Sequence, residues 1–207
     1  MKIKLIAFFL FVFSIKSMTQ DIELLSNFTN KSFRFTNITD HDINSKWNYF
    51  GLTEMGVAYK IKNVVNFETD QFMDYKIANN LAIATGLGLQ NNNILPQLGL
   101  AYAKEKQKWS YAFYPTVYYG LSDESWGSSM NSLIEYSPMI NTKWDFYSLA
   151  LLDFDYDFGE ALGSQQYVNI GFQYKKKFLF GVNFDFEQED NFKDNETEYG
   201  IFLGINL

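Results

Sequence analysis

Past its first twenty residues this chain is written with period two. Apolar and polar side chains alternate in stretch after stretch, and because successive side chains of an extended backbone point to opposite faces, each stretch sorts into one greasy and one polar face. Twelve such segments can be read: Asp21–Phe28, Lys31–Thr39, Trp47–Lys60, Val64–Ile77, Leu81–Gln90, Ile94–Lys104, Lys108–Leu121, Ser128–Ile140, Trp144–Asp157, Gln165–Lys175, Phe178–Gln188 and Glu196–Leu207. They match the roughly 9–11 residues with which a tilted strand crosses a bilayer, and no later run reaches the roughly 20 apolar residues of a membrane-crossing helix. The pattern therefore predicts an all-β chain, an antiparallel transmembrane β-barrel of twelve strands, or of ten if Asp21–Thr39 is an extension.

A soluble sandwich alternates too, with its apolar side inward, so alternation alone does not say which face is outside. Aromatic placement bears on it. Tyr75, Tyr102, Trp109, Trp144, Tyr174 and Phe178 lie on the apolar parity beside short turns, where a membrane barrel carries an aromatic girdle. When the more apolar parity is taken as outside, Glu54, Glu68, Asp70, Asp74, Glu105, Glu135, Asp145, Asp153, Asp155, Asp157, Asp185, Glu187 and Glu198 all fall inside. Hydrocarbon leaves no open strand edge satisfied, so the sheet is expected to close. An even strand number puts both chain ends at the periplasm. Longer polar connections are then expected at the opposite end, at Ser122–Gly127, Phe158–Ser164 and Glu189–Asn195, the last within an acidic, solvated stretch Glu187–Glu196. Pro115 and Pro138 sit inside two segments and read as bulges or bends, since each deletes a ladder donor.

The first residues read as an address. Lys2 and Lys4 precede an apolar run from Leu5 to Ile15, and Ser17 and Thr19 offer the small residues of a cleavage site before Gln20. Residues 1–19 are thus expected to be a cleaved signal peptide, leaving 20–207 as the barrel in the outer membrane of a Gram-negative bacterium. The outer-membrane lipid and the barrel assembly machinery would be its partners.

Little conventional chemistry is available. Cysteine is absent, which removes disulfides and thiolate sites. The net charge of -7 disfavours nucleic acid as a partner. The one histidine, His41, stands between Asp40 and Asp42 and reads as a solvated loop residue on the periplasmic side, with no second histidine to build a catalytic pair. No enzyme activity, cofactor or metal site is expected. The Asp153, Asp155, Asp157 row lacks the glycine and glutamate that a calcium loop wants after it.

The layout of Asp21-Ile-Glu-Leu, Phe33-Arg-Phe-Thr, Lys46-Trp47 opening a strand with Gly51, and Tyr111-Ala-Phe-Tyr-Pro-Thr-Val-Tyr resembles the Tsx-type nucleoside-specific channel-forming proteins of the outer membrane and their smaller relatives. That resemblance implies a twelve-stranded monomeric barrel with a narrow aromatic-lined pore that passes nucleosides. This chain departs from the family in being shorter and in ending on Leu207.

The expected function is an outer-membrane channel through which small polar solutes, nucleosides among them, diffuse passively. The expected pore-lining or solute-binding residues are Glu54, Glu68, Asp70, Tyr114, Glu135, Asp145, Tyr147, Asp153, Asp155, Asp157, Tyr167 and Asp185. Inward carboxylates would favour cations or bind sugar hydroxyls, and Tyr114, Tyr147, Tyr167 and Phe202 could stack on a planar base. The competing expectation is a closed structural or adhesion barrel, its acids neutralised by Lys60, Lys62, Lys76, Lys108 or Lys175 and its rings serving as filler.

Overall fold

The computed structural model describes residues 21–60, 65–90, 92–157, 160–189 and 194–207, so the expected signal peptide lies outside the described residues. Twelve strands follow one another: β1 (Asp21–Thr29), β2 (Ser32–Asp42), β3 (Trp47–Ala58), β4 (Val65–Ala78), β5 (Leu81–Gln90), β6 (Asn93–Lys106), β7 (Trp109–Tyr119), β8 (Trp126–Tyr136), β9 (Trp144–Asp157), β10 (Glu160–Tyr174), β11 (Phe178–Glu189) and β12 (Asp194–Asn206). Each pairs antiparallel with its sequence neighbours, and β1 closes on β12 with Glu23 opposite Asn206 and Thr29 opposite Gly200. The ten-strand alternative is thereby excluded, because β1 and β2 complete the ring.

Alternation sets inside and outside. On β12, Tyr199, Ile201 and Leu203 are 62%, 56% and 54% exposed on the outer wall, whereas Phe202 between them is 0% exposed. Most of the outer wall carries such residues, among them Leu98, Val182 and Phe184. A closed sheet with an apolar exterior is the arrangement a bilayer demands, since closure leaves no open strand edge of unpaired N–H and C=O groups. Outward aromatic pairs ring the end that carries both termini, here called the terminal end: Trp47 with Tyr75 at 5.0 Å between ring centroids, Trp109 with Tyr136 at 4.3 Å and Trp144 with Tyr174 at 4.8 Å. The expected girdle residues are all on this wall.

Three expectations need correction. The contrast of short and long ends is absent among the described residues. β8 already begins at Trp126, β10 at Glu160 and β12 at Asp194, while the seven-residue connection 137–143 lies at the terminal end. Polar residues at a barrel rim continue the ladder as long as a neighbouring strand offers partners, so polarity overstated these loops. Pro115 makes no bulge: Gly99 pairs Thr116 and Tyr102 pairs Phe113 in one unbroken register, and only the ladder contacts between are missing. Pro138 is not in a strand at all; β8 has ended at Tyr136, and the Pro138 carbonyl accepts from Phe146 N–H at 3.0 Å. The observed bulges are at Lys76/Ala78 in β4 and Ala161/Gly163 in β10. Finally, His41 is no loop residue. It lies in β2 opposite Tyr49 and is 8% exposed, because β2 runs three residues beyond its expected end at Thr39.

Candidate functional site

The closed sheet encloses a lumen, and its inward rows divide it into three levels. At the end away from the termini, called distal, Arg34 of β2 reaches Asp185 of β11, with Nη1 2.7 Å from Oδ2, and its guanidinium lies 3.8 Å from the centroid of the Tyr167 ring. Glu54 accepts a hydrogen bond from Thr36 Oγ1 at 3.1 Å. Asp70 accepts from Gln97 Nε2 at 2.6 Å and from Asn131 Nδ2 at 3.2 Å. Glu54, Glu68, Asp70, Asp153 and Tyr167 line a cavity of about 30 Å³, room for about one water. Asp153 Oδ1 and Asp185 Oδ1 are buried there without a hydrogen-bond partner among the described residues. Asp155 follows on the same inward row of β9, opposite Ser129, and Asp157 lies opposite Gly127.

Below this chamber the lumen is packed shut. Tyr114 stacks on Phe50 at 4.6 Å and on Phe72 at 5.1 Å, and Tyr147 packs on Phe202 at 5.7 Å. Leu25, Leu149, Leu151 and Leu179 fill the remainder of this buried cluster. The phenols turn toward the terminal end: Tyr114 Oη donates to Asp74 Oδ2 at 3.0 Å, and Tyr147 donates to Glu23. Gly86 makes the room, since a Cβ there would stand 2.6 Å from Phe72 Cδ1. The seal is thin in places. On β4 a single inward residue, Phe72, separates Asp70 above from Asp74 below, a span of about 13 Å at strand rise.

The terminal end opens into a vestibule of about 1040 Å³. Glu23, Asp40, Asp74 and Glu135 line it together with Lys76, Lys104, Lys106 and Lys108. At its rim Lys76 Nζ stands 2.6 Å from Asp42 Oδ1.

The expected site residues therefore do not form one lining. Glu54, Glu68, Asp70, Asp153 and Tyr167 line the distal chamber, Asp185 adjoins it opposite Tyr167, Tyr114 forms both its floor and part of the seal, and Tyr147 belongs to the seal alone. Glu135 faces the vestibule, and Asp145 is buried opposite Gln173 at the terminal end of β9. The expected lysine neutralisation is corrected. Of the lysines named for it, Lys62 lies outside the described residues and only Lys76 is in an ion pair, at the rim, among the described ones. A long flexible ammonium keeps its head in water, so the buried partner is a guanidinium instead. Arg34 was the residue that sequence reasoning missed, although a signal existed: it is the only arginine among 16 lysines. The four rings expected to offer stacking faces are engaged within the protein, Tyr114, Tyr147 and Phe202 with other rings and Tyr167 with Arg34.

No protein-family model matches this sequence, and no curated protein matches it. Among solved structures the chain is similar to the NanC porin, with a TM-score of 0.54 at 11% identity over 90% of this chain and 98% of that one. It is also similar to the KdgM porin in complex with disordered oligogalacturonate, with a TM-score of 0.50 at 13% identity over 90% of this chain and 99% of that one. At such identities the likeness is one of fold. The chain is an outer-membrane-type β-barrel.

Proposed function

We propose that this chain is an outer-membrane channel for small polar solutes, selective for cations and neutral hydroxylated molecules over anions, and closed at mid-lumen in the state described. The observation that carries the reading is the uneven lumen. A barrel serving only as a scaffold gains nothing from an empty vestibule of about 1040 Å³ or from a chamber of carboxylates with one guanidinium between them. Both are explained if solute enters from either end and a thin aromatic layer between Asp70 and Asp74 governs passage. An apolar constriction of that kind gates by excluding water until its side chains part. The fold shared with two porins supports the same reading.

Nucleosides are a candidate solute on the Tsx-like layout. Their ribose hydroxyls suit the carboxylates of the distal chamber, and base stacking would require Tyr114 to leave Phe50 and Phe72. The second reading, a sealed structural barrel, is favoured by the 0% exposure of Phe72, Tyr147 and Phe202. Reconstitution decides between them. Brief, cation-selective openings in planar bilayers and uptake of nucleosides or sugars into vesicles are expected; silence in both assays overturns the channel.

A further inference from the structure

Polar residues are scattered singly over most of the outer wall, as at Thr85, Ser148 and Gln166, but cluster across three strands at one place. Between the Trp47–Tyr75 aromatic pair at the terminal end and the Met55–Phe67 and Val57–Val65 pairs nearer the distal end, the lipid-facing rows of β2, β3 and β4 carry Asn37, Thr39, Tyr49, Thr53, Thr69 and Gln71, with His41 and Met73 on either side of Tyr49. The registers set them side by side: Asn37 is opposite Thr53 and Thr53 opposite Thr69, while Thr39 and Gln71 flank Gly51. At corresponding positions the far wall shows Val182, Phe184, Ile201 and Leu203.

These groups bond to one another. Gln71 Nε2 donates to Thr69 Oγ1 at 2.5 Å and to Thr53 Oγ1 at 3.3 Å, and Tyr49 donates to Gln71 Oε1. Thr53 and Thr69 share a hydrogen bond of 2.8 Å, and Thr39 donates to Asn37 Oδ1 at 3.4 Å. Gly51 lets Tyr49 and Gln71 meet over the backbone, since a Cβ there would lie 2.8 Å from Gln71 Oε1. Bonding within the set is incomplete: Thr69 Oγ1 is filled, accepting from Gln71 and Thr53 and donating to the Leu52 carbonyl at 3.0 Å, but the Tyr49 and Thr53 hydroxyls each keep an acceptor site. Such groups are costly against hydrocarbon, where no water completes them.

We infer that this wall of β2–β4 is an interface with a second copy of the chain within the membrane. The depth of the patch demands a partner that is itself embedded in the bilayer. The patch contains no Asp, Glu, Lys or Arg, and its amides and hydroxyls donate as well as accept, so it is complementary to itself. A twofold axis along the membrane normal brings it against its copy at the same depth, the geometry of a closed isologous dimer. The small threonines Thr53 and Thr69, side by side on the wall, let the two walls approach closely. This departs from the monomer that the Tsx resemblance implies. It rests on the wall facing lipid and is independent of whether the lumen conducts.

The absence of cysteine makes the test clean. Thr53→Cys at the patch centre and Val182→Cys on the far wall are each expressed in the full chain and treated, in outer membranes, with a short bis-maleimide that adds one thiol at each end, since facing sheets lie about 10 Å apart. Membrane fractionation and a heat-modifiable gel shift confirm an inserted barrel in each case, which separates failure of the interface from failure of the membrane reading. The expected result is a shift of the Thr53→Cys chain to twice its mass with the Val182→Cys chain left monomeric, and loss of that shift when Asn37→Leu and Gln71→Leu are added. If the inserted Thr53→Cys barrel stays monomeric, the inference is overturned and the patch is only internally bonded. A product of any other mass overturns the second copy in favour of a different membrane partner.

Discussion

The two halves of the lumen are built from similar residue types and behave in opposite ways. The distal half holds its carboxylates in fixed company, Asp70 between Gln97 and Asn131 and Asp185 on Arg34, with a void of only about 30 Å³ among them. The terminal half spreads both signs of charge around about 1040 Å³ and pairs Lys76 with Asp42 only at its rim. Crowding rather than composition separates them. On the channel reading proposed above, discrimination among solutes would belong to the packed distal half, where a solute must replace bonds already made, and the vestibule would only collect what arrives.

The largest expected effect comes from joining the halves. Phe72→Ala removes the one side chain between Asp70 and Asp74 on β4 and leaves Tyr114 stacked on Phe50 alone. Truncating a buried phenylalanine costs about 3–5 kcal/mol, so the barrel should unfold at lower denaturant while still closing. Single-channel recording should turn brief openings into a sustained current. An unchanged record would place the barrier elsewhere, at Tyr147 and Phe202.

Arg34 sharpens the contrast from the distal side. Arg34→Leu strands Asp185, 4% exposed, without its partner, and breaking a buried pair costs about 3–5 kcal/mol. Adding Asp185→Asn should recover most of that loss in denaturant melts, because the uncompensated charge is gone. Bilayer reversal potentials should move further toward cations in Arg34→Leu, the guanidinium being the positive charge on Asp185 beside Glu54. Arg34→Lys should restore the charge without the Tyr167 stacking, and so restore selectivity better than stability.

The sequence carried the fold further than the site. Period two, with one face too greasy for water, gave the strand count and the inward parity of the acids, because side-chain direction in a strand is a local property. Distance across the barrel is not. Nothing near Tyr147 in the chain announces Phe202 or Glu23, and nothing near Arg34 announces Asp185. Whether twelve inward rows leave a pore or a seal depends on how side chains from opposite walls meet, and alternation is silent on that. The same holds outside: Asn37, Thr53 and Gln71 look like lapses in three separate strands until the register aligns them.

Smaller effects should come from positions that leave both halves of the lumen intact. Pro115 deletes one ladder donor where two pairs are missing between β6 and β7, so Pro115→Val should stabilise the wall by about 0.5–1.5 kcal/mol, the net worth of a hydrogen bond, with conductance unchanged. A larger gain would mean that the proline strains its neighbours.

The smallest effect should be at the vestibule rim. Lys76 and Asp42 are 36% and 68% exposed, and ion pairs so well solvated are worth about 0–1 kcal/mol. Lys76→Ala should leave the melting midpoint nearly in place and alter conductance only at low salt, where unscreened charge at a mouth still concentrates counter-ions. If Lys76→Ala instead changed solute selectivity as strongly as Arg34→Leu, the vestibule would be a filter in its own right. The division of labour drawn from the crowding of the two halves would then have to be reversed.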